Sequence, residues 1–121
     1  MEIQKVNLAQ VAEKINDHWN PRIAGELNGQ QVKLVKFKGE FIWHKHDHED
    51  EMFYVIRGSF DMELRDKTIH LKEQEFIIIP RGLEHRPVAR EEVYVMLFEP
   101  AGTLNTGDQQ SGLTRNELDR I

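Results

Sequence analysis

Apolar residues recur at spacings of three and four near the start of the chain, where Leu8, Val11, Ile15 and Trp19 mark one stripe of an amphipathic helix. Asn7 stands where its side-chain oxygen can accept from the free amides of a first turn. The pattern stops at Asn20 and Pro21, because the residue before a proline is pushed out of helical geometry. The spacing predicts a helix of about three turns within residues 1–20, packed on the edge of a domain. After Pro21 the period changes to short runs rich in β-branched and aromatic residues: RIAGEL, QQVKLVKF, FIWHKH, MFYVIRGSFDMEL, KTIHL, EFIII and VYVMLFEP. Their separators are KGE, DHED, RDK, KEQ, PRGLEH and AREE, and Asn28-Gly29 between the first two runs suits the positive φ angles of a tight hairpin. With no helical pattern between the strands, an all-β barrel or two-sheet sandwich over 21–100 is the economical way to cover sheet edges. From Ala101 the chain turns polar and glycine-bearing, which predicts a surface loop or tail over 101–121 with a short helical turn near its end.

Length and composition narrow the picture. A chain of 121 residues supports one core. Hydrophobic residues at 39% and charged residues at 31% fit a globular domain rather than a disordered chain. No apolar run approaches the roughly 20 residues a bilayer requires. MEIQKVNLAQVAEK lacks the marks of a secretory signal, so the cytoplasm is the expected compartment. A net charge of -5 argues against backbone-driven nucleic-acid binding. The absence of cysteine rules out disulfides, thiolate zinc sites and thiol nucleophiles, so any metal must sit on nitrogen and oxygen.

That restriction directs attention to WHKHDHEDEMF. Side chains at i and i+2 of a strand share a face, so His44 and His46 point to one side about 7 Å apart along the strand. His48 lies in a polar cluster, Asp47 to Asp50, that reads as a turn, which leaves it a place at the rim. Glu51 shares a face with Phe53 and Val55, and if those two face the interior, so does Glu51. A carboxylate aimed inward is costly without a positive partner, and a metal on two nearby imidazoles would be one. EFIIIPRGLEH then ends an apolar strand in a Pro-Arg-Gly turn that can return His85 beside the first two histidines. Three imidazoles and a carboxylate suit Fe(II), Mn(II), Zn(II), Ni(II) or Co(II), with positions left for water or substrate. His18 and His70 read as ordinary surface or boundary residues.

The stretch Gly39 to Gly58, with its His-x-His, Glu51 and closing glycine, resembles the first motif of the cupin family, and Pro80 to His85, PRGLEH, resembles the second. The resemblance implies a double-stranded β-helix, a jelly-roll barrel, with His44, His46, Glu51 and His85 in the positions of the family's metal ligands. Three positions depart from the pattern: four residues rather than five separate Gly39 from His44, Gln74 stands where the second motif usually opens with glycine, and Ala89 replaces its final asparagine.

Small cupins include isomerases, dioxygenases, lyases and binding modules, so the fold does not choose a reaction. Trp43, Phe53, Val55, Phe76, Ile78 and Met96 are the candidate pocket lining, suited to a small organic ligand. Tyr54 and Arg81 are candidate polar contacts, and His48 and Glu84 are candidate bases. The resulting readings are a metal-dependent enzyme using Lewis acidity, a sugar isomerase being one instance, an Fe(II) dioxygenase, or a binding module without catalysis. A homodimer is expected, because a small barrel leaves edges and apolar faces to cover.

Overall fold

A computed structural model describes residues 2–121. Its elements are α1 (Leu8–Lys14), β1 (Arg22–Leu27), β2 (Gln30–Glu40), β3 (Glu51–Arg57), β4 (Phe60–Leu64), β5 (Thr68–Leu71), β6 (Phe76–Ile79) and β7 (His85–Pro100). The strands pair antiparallel in the order β1-β2-β7-β3-β6, with β4 joined to both β7 and β5. The result is a jelly-roll barrel carrying one short helix, the all-β architecture expected from the strand-rich sequence.

β7 closes the barrel. Its first residues, His85 to Val88, pair with β4, whereas Tyr94 to Phe98 pair with β3, and β2 follows it from Pro100 back to Val88. The sequence reads AREE as a break between two strands. Instead Arg90, Glu91 and Glu92 are an exposed irregularity within one strand, opposite the register shift between Phe37 and Gly39. Extra residues of this kind bend a strand, which lets one element serve two walls.

Alternation along β2, β3 and β7 sorts side chains between two cores. Inside the barrel, Val35, Phe37, Phe53, Val55, Val93, Val95 and Leu97 are buried together with Phe60 and Met62 from β4. On the outer face, Leu34 and Tyr94 meet Val11, Ala12 and Ile15, and the Tyr94 hydroxyl donates to the Leu8 carbonyl at 2.9 Å. The hairpin falls at Asn28-Gly29 with φ of 51° and 77°.

The helix is shorter than its apolar stripe. Asn7 caps it by accepting from the Gln10 amide at 3.0 Å, but the chain is already extended at Ile15. Asp17 is drawn into a hydrogen-bonded pair with Arg22, and Trp19 adopts a φ of 60°. Trp19 therefore leaves the helical stripe and enters the barrel mouth, stacked on Phe37 at 4.5 Å and Phe41 at 4.7 Å, with its indole N–H donating to the Lys38 carbonyl.

The segment after Ala101 also differs from a free tail. It carries turns and no helical turn, buries Thr103 and Thr106, and ends by pairing Arg120 with Ile23 and donating the Ile121 amide to the Ile23 carbonyl. No helix among the described residues is long and apolar enough to cross a membrane.

Candidate metal centre

Each of the four candidate ligands is set by backbone geometry. His44 and His85 form an isolated antiparallel bridge, each donating its amide to the other's carbonyl, at 3.1 and 2.9 Å. The Pro80 to Leu83 turn docks on the same segment, because the Gly82 amide donates to the His46 carbonyl at 2.8 Å. Glu51 opens β3, and the alternation that buries Phe53 and Val55 buries it as well. One ligating atom from each of His44, His46, Glu51 and His85 lies within 4.8 Å of all the others, and all four residues are buried.

Hydrogen bonds fix the tautomers. Nδ1–H of His44 donates to the Ile42 carbonyl and Nδ1–H of His85 to the Leu83 carbonyl, both at 2.9 Å. Each ring then turns an Nε2 lone pair inward, the arrangement that orients imidazoles toward a metal. Glu51 Oε1 lies 3.2 Å from His46 Nε2 and 3.6 Å from His85 Nε2. Even so, His46 Nε2, Glu51 Oε1 and His85 Nε2 have no hydrogen-bond partner while fully buried. Buried polar atoms without partners are expensive. Two imidazole nitrogens and a carboxylate oxygen converging in this way fit a divalent cation, and the all-nitrogen-and-oxygen donor set fits the borderline metals expected from the sequence.

The electrostatics agree. Burial, helped by the charge at His85, pushes His44 down to about 4, so its ring is neutral at physiological pH. Burial acts against protonated His46, but the adjacent Glu51 carboxylate outweighs it and raises the group. Burial would raise Glu51, yet its contacts with His46 and His85 hold it well below the usual carboxylate range.

Beside the ligands lies a cavity of about 20 Å³, lined by Trp19, Phe37, Phe41, Phe53, His44 and Glu51, with Asn105 as a further polar group. That space holds roughly one water. Of the six residues expected to line a pocket, Phe53 lines this cavity, and Val55 is buried in the barrel core without lining it. The other four do not line it. Phe76 and Ile78 are 61% and 57% exposed, because β6 presents Ile77 and Ile79 to the barrel and these two outward. Met96 belongs to the outer cluster under α1, and Trp43 lies beneath the Arg65 guanidinium, 3.9 Å from its ring centre. Glu84 alternates with inward His85 and so points out to Arg65, at 3.3 Å, away from the ligands. Arg81 is likewise on the surface, paired with Asp50, and Tyr54 lies on the outward face of β3. His48 is exposed on a groove that also includes His46, Glu49, Leu104 and Asp108. His18 and His70 sit on the surface against Glu92 and Asp61.

Sequence reasoning missed the residues that hold the first two histidines from behind. The Asp108 amide donates to the Lys45 carbonyl at 3.0 Å, and the Lys45 amide donates to Asp108 Oδ1 at 3.1 Å. Gly107 fits there at a φ of 56°, where an added Cβ would stand 2.2 Å from the Lys45 carbonyl oxygen and 3.1 Å from the His44 ring. A Thr-Gly-Asp turn in a polar segment was the available signal, and it carries no hint of its partner.

A small jelly roll gathers three histidines and a glutamate at its mouth, a donor set that could hold a metal ion. Residues 32–99 match the model of the cupin domain, and the chain belongs to that family. It is 38% identical over 82 residues to the uncharacterized protein YdbB of Bacillus subtilis, covering 66% of this chain and 72% of that one. The crystal structure of a cupin-2 domain containing protein from Shewanella frigidimarina superposes with a TM-score of 0.77 at 43% identity, covering 78% of this chain and 93% of its own. Acireductone dioxygenase 4 of Oryza sativa is 31% identical over 103 residues, 76% of this chain but 53% of that enzyme, so the chain spans about half of it.

Proposed function

We propose that the protein binds one divalent cation through His44, His46, Glu51 and His85 and uses it on a small, oxygen-bearing organic molecule. The observation that carries this reading is the convergence of four buried donors, three of whose ligating atoms have no other partner. A bound metal would supply Lewis acidity, polarising an oxygen of the ligand and stabilising negative charge that develops on it. The chain's own part is to hold the neutral tautomers of His44 and His85 through Ile42 and Leu83, and to keep Glu51 ionised. Trp19, Phe37, Phe41 and Phe53 exclude water from the ligand side, which strengthens every charge interaction within. That space holds about one water, so an organic ligand is admitted when the Trp19 segment yields.

A second reading, an Fe(II)-dependent dioxygenase, is favoured by the likeness to acireductone dioxygenase and by the apolar, water-sized cavity, which suits dioxygen. For assembly we propose a homodimer, with the outward apolar face of β3 and β6 as its surface.

Elemental analysis of protein purified without a histidine tag tests the first statement, with about one divalent metal per chain expected and none overturning it. Oxygen uptake by the Fe(II)-loaded protein with candidate substrates separates the two chemistries. Turnover of a substrate without oxygen, retained with Mn(II) or Zn(II), supports the Lewis-acid reading, and strict dependence on iron and oxygen supports the other. Ligand-dependent stabilisation without turnover in either assay would leave a binding module.

A further inference from the structure

Between the β1–β2 hairpin and the segment after Ala101 lies a cavity of about 150 Å³ that shares no lining residue with the space beside His44. Backbone bonds fix its walls. The Ile23 amide donates to the Asp119 carbonyl at 2.9 Å and the Ile121 amide to the Ile23 carbonyl at 3.0 Å, which clasps the last residues of the chain to β1. The Arg115 amide donates to Asn105 Oδ1 at 2.8 Å, which sets where the Arg115 side chain starts. The cavity is lined by the cations Lys33 and Arg115 and by the amides of Gln31 and Asn116, and no carboxylate is among its lining residues. In a chain of net charge -5 this is a local reversal of sign. Lys33 is 1% exposed, and its Nζ lies 3.3 Å from Glu99 Oε1 and 3.5 Å from the Thr103 carbonyl. Both contacts are long for a charged nitrogen, and an ammonium has three donors to place. The half-buried Arg115 guanidinium carries five donors and makes no hydrogen bond or ion pair among the described residues. Water can meet such a cation, but it gains nothing from the apolar wall that Ile23, Leu104 and Leu118 supply to the same cavity. A molecule with one oxyanion head and a short carbon chain satisfies both sides.

We propose that this cavity is a binding site for a short-chain organic carboxylate, separate from the metal centre, with the carboxylate held by Arg115 and Lys33 and the chain laid against Ile23, Leu104 and Leu118. The planar guanidinium matches the two oxygens of a carboxylate, and Asn116 adds an amide donor at the exposed rim. A cavity of this volume holds several waters, so a chain of a few carbons displaces them without moving the walls. The carboxylates that touch these groups are held elsewhere: Glu99 does not line the cavity, and Glu26, which accepts from Gln31 Nε2 at 3.4 Å, is also paired with Arg120. The site stands whether or not the four candidate ligands carry a metal.

Calorimetric titration of the full chain, as purified and at constant ionic strength, with butyrate, acetate and inorganic phosphate tests the proposal. The expected result is saturable binding of one butyrate per chain, tighter than acetate because of the apolar wall and tighter than phosphate. Arg115→Gln removes the fork and leaves the backbone amide in place, and it is expected to weaken butyrate about 10- to 100-fold. Asn116→Asp sets a like charge at the exposed rim, where folding is not at stake, and is expected to weaken butyrate about two- to fivefold. His46→Ala is the control for a carboxylate sitting on a bound metal, and it should bind butyrate as wild type does. Wild type without saturable butyrate binding, or one that prefers phosphate, would overturn the proposal. So would unchanged butyrate affinity in either folded variant of the cavity, and loss of binding in His46→Ala would place the carboxylate at the metal centre instead.

Discussion

At the scale of single residues, the site depends on side chains whose protonation and aim are set by their neighbours. His46 offers an Nε2 with no partner other than Glu51 close by, so His46→Ala is expected to lose most bound metal while the barrel survives, measured by elemental analysis and circular dichroism. Unchanged stoichiometry would remove His46 from the ligand set. His44 gives the metal-free protein a pH dependence. An unfolded His44 takes its proton near 6.5, the folded one only near 4. As pH falls between these values the unfolded chain gains a proton that the folded chain refuses, so stability present above 6.5 is lost, by about 3 kcal/mol at most. His46, raised by Glu51, acts in the opposite sense: its contribution is present at low pH and fades as pH rises past its folded value. Urea titrations of chelator-treated protein at pH 7 and pH 4.5 should therefore show a loss that flattens in His44→Gln. Parallel slopes in the two proteins would refute the assignment to this ring. Gly107→Ala is expected to cost roughly 2–4 kcal/mol, from a left-handed backbone position plus a clash with Lys45 that the segment behind His44 must absorb.

Among the elements, alternation is the signal that the sequence carries best. It places Glu51 inward with Phe53 and Val55, and the same rule applied to QQVKLVKF puts Lys33 on the side of Val35 and Phe37. A lysine in that company looks like an exposed edge position until the facing strand supplies Glu99, and pairing between strands is not local information. The turn residues are partly legible as well. Gln74, standing where the motif has glycine, occupies a φ of 69°, so the departure changes the residue and keeps the backbone. The misjudged elements share a cause, which is that tertiary contacts outweigh local pattern. Trp19 fits the helical period, but burial between Phe37 and Phe41 outweighs one more turn of a short helix. The apolar alternation of EFIII gives no means of telling its faces apart, since every position from Phe76 to Ile79 is apolar, and Phe76 and Ile78 face away from the barrel. The Trp19 strap yields its own expectation. Trp19→Ala should destabilise the protein by about 3–5 kcal/mol and enlarge the cavity beside His44, so that imidazole binds the Co(II)-loaded variant more tightly than wild type by visible absorption. Equal affinity in the two proteins would show that Trp19 does not limit access.

For the whole molecule, the outward row on β6 is the feature that a lone barrel does not explain. β6 ends the sheet, pairing with β3 alone, and its register sets Phe76 beside Tyr54 and Ile78 beside Met52. On β7 the row ends at Met96, opposite Tyr54, and Met96 already packs in the cluster under α1. An apolar row at a short sheet edge is what a protein covers with a partner, and a two-fold arrangement lets the same patch serve both copies. A second copy fits because the row itself carries no charge, so two chains of net charge -5 can meet there without opposing carboxylates at the centre. Sedimentation at micromolar concentration should then give twice the 14.3 kDa chain mass for wild type and a single chain for Ile78→Glu, which forces a carboxylate into the contact. All four candidate ligands come from one chain and face the opposite side of the sheet, so the monomeric variant should bind as much metal as the dimer. Wild type sedimenting as a single chain would remove the dimer, and a monomeric variant stripped of metal would mean that the interface supports the ligands from behind, through Glu51 and its neighbour Ile79.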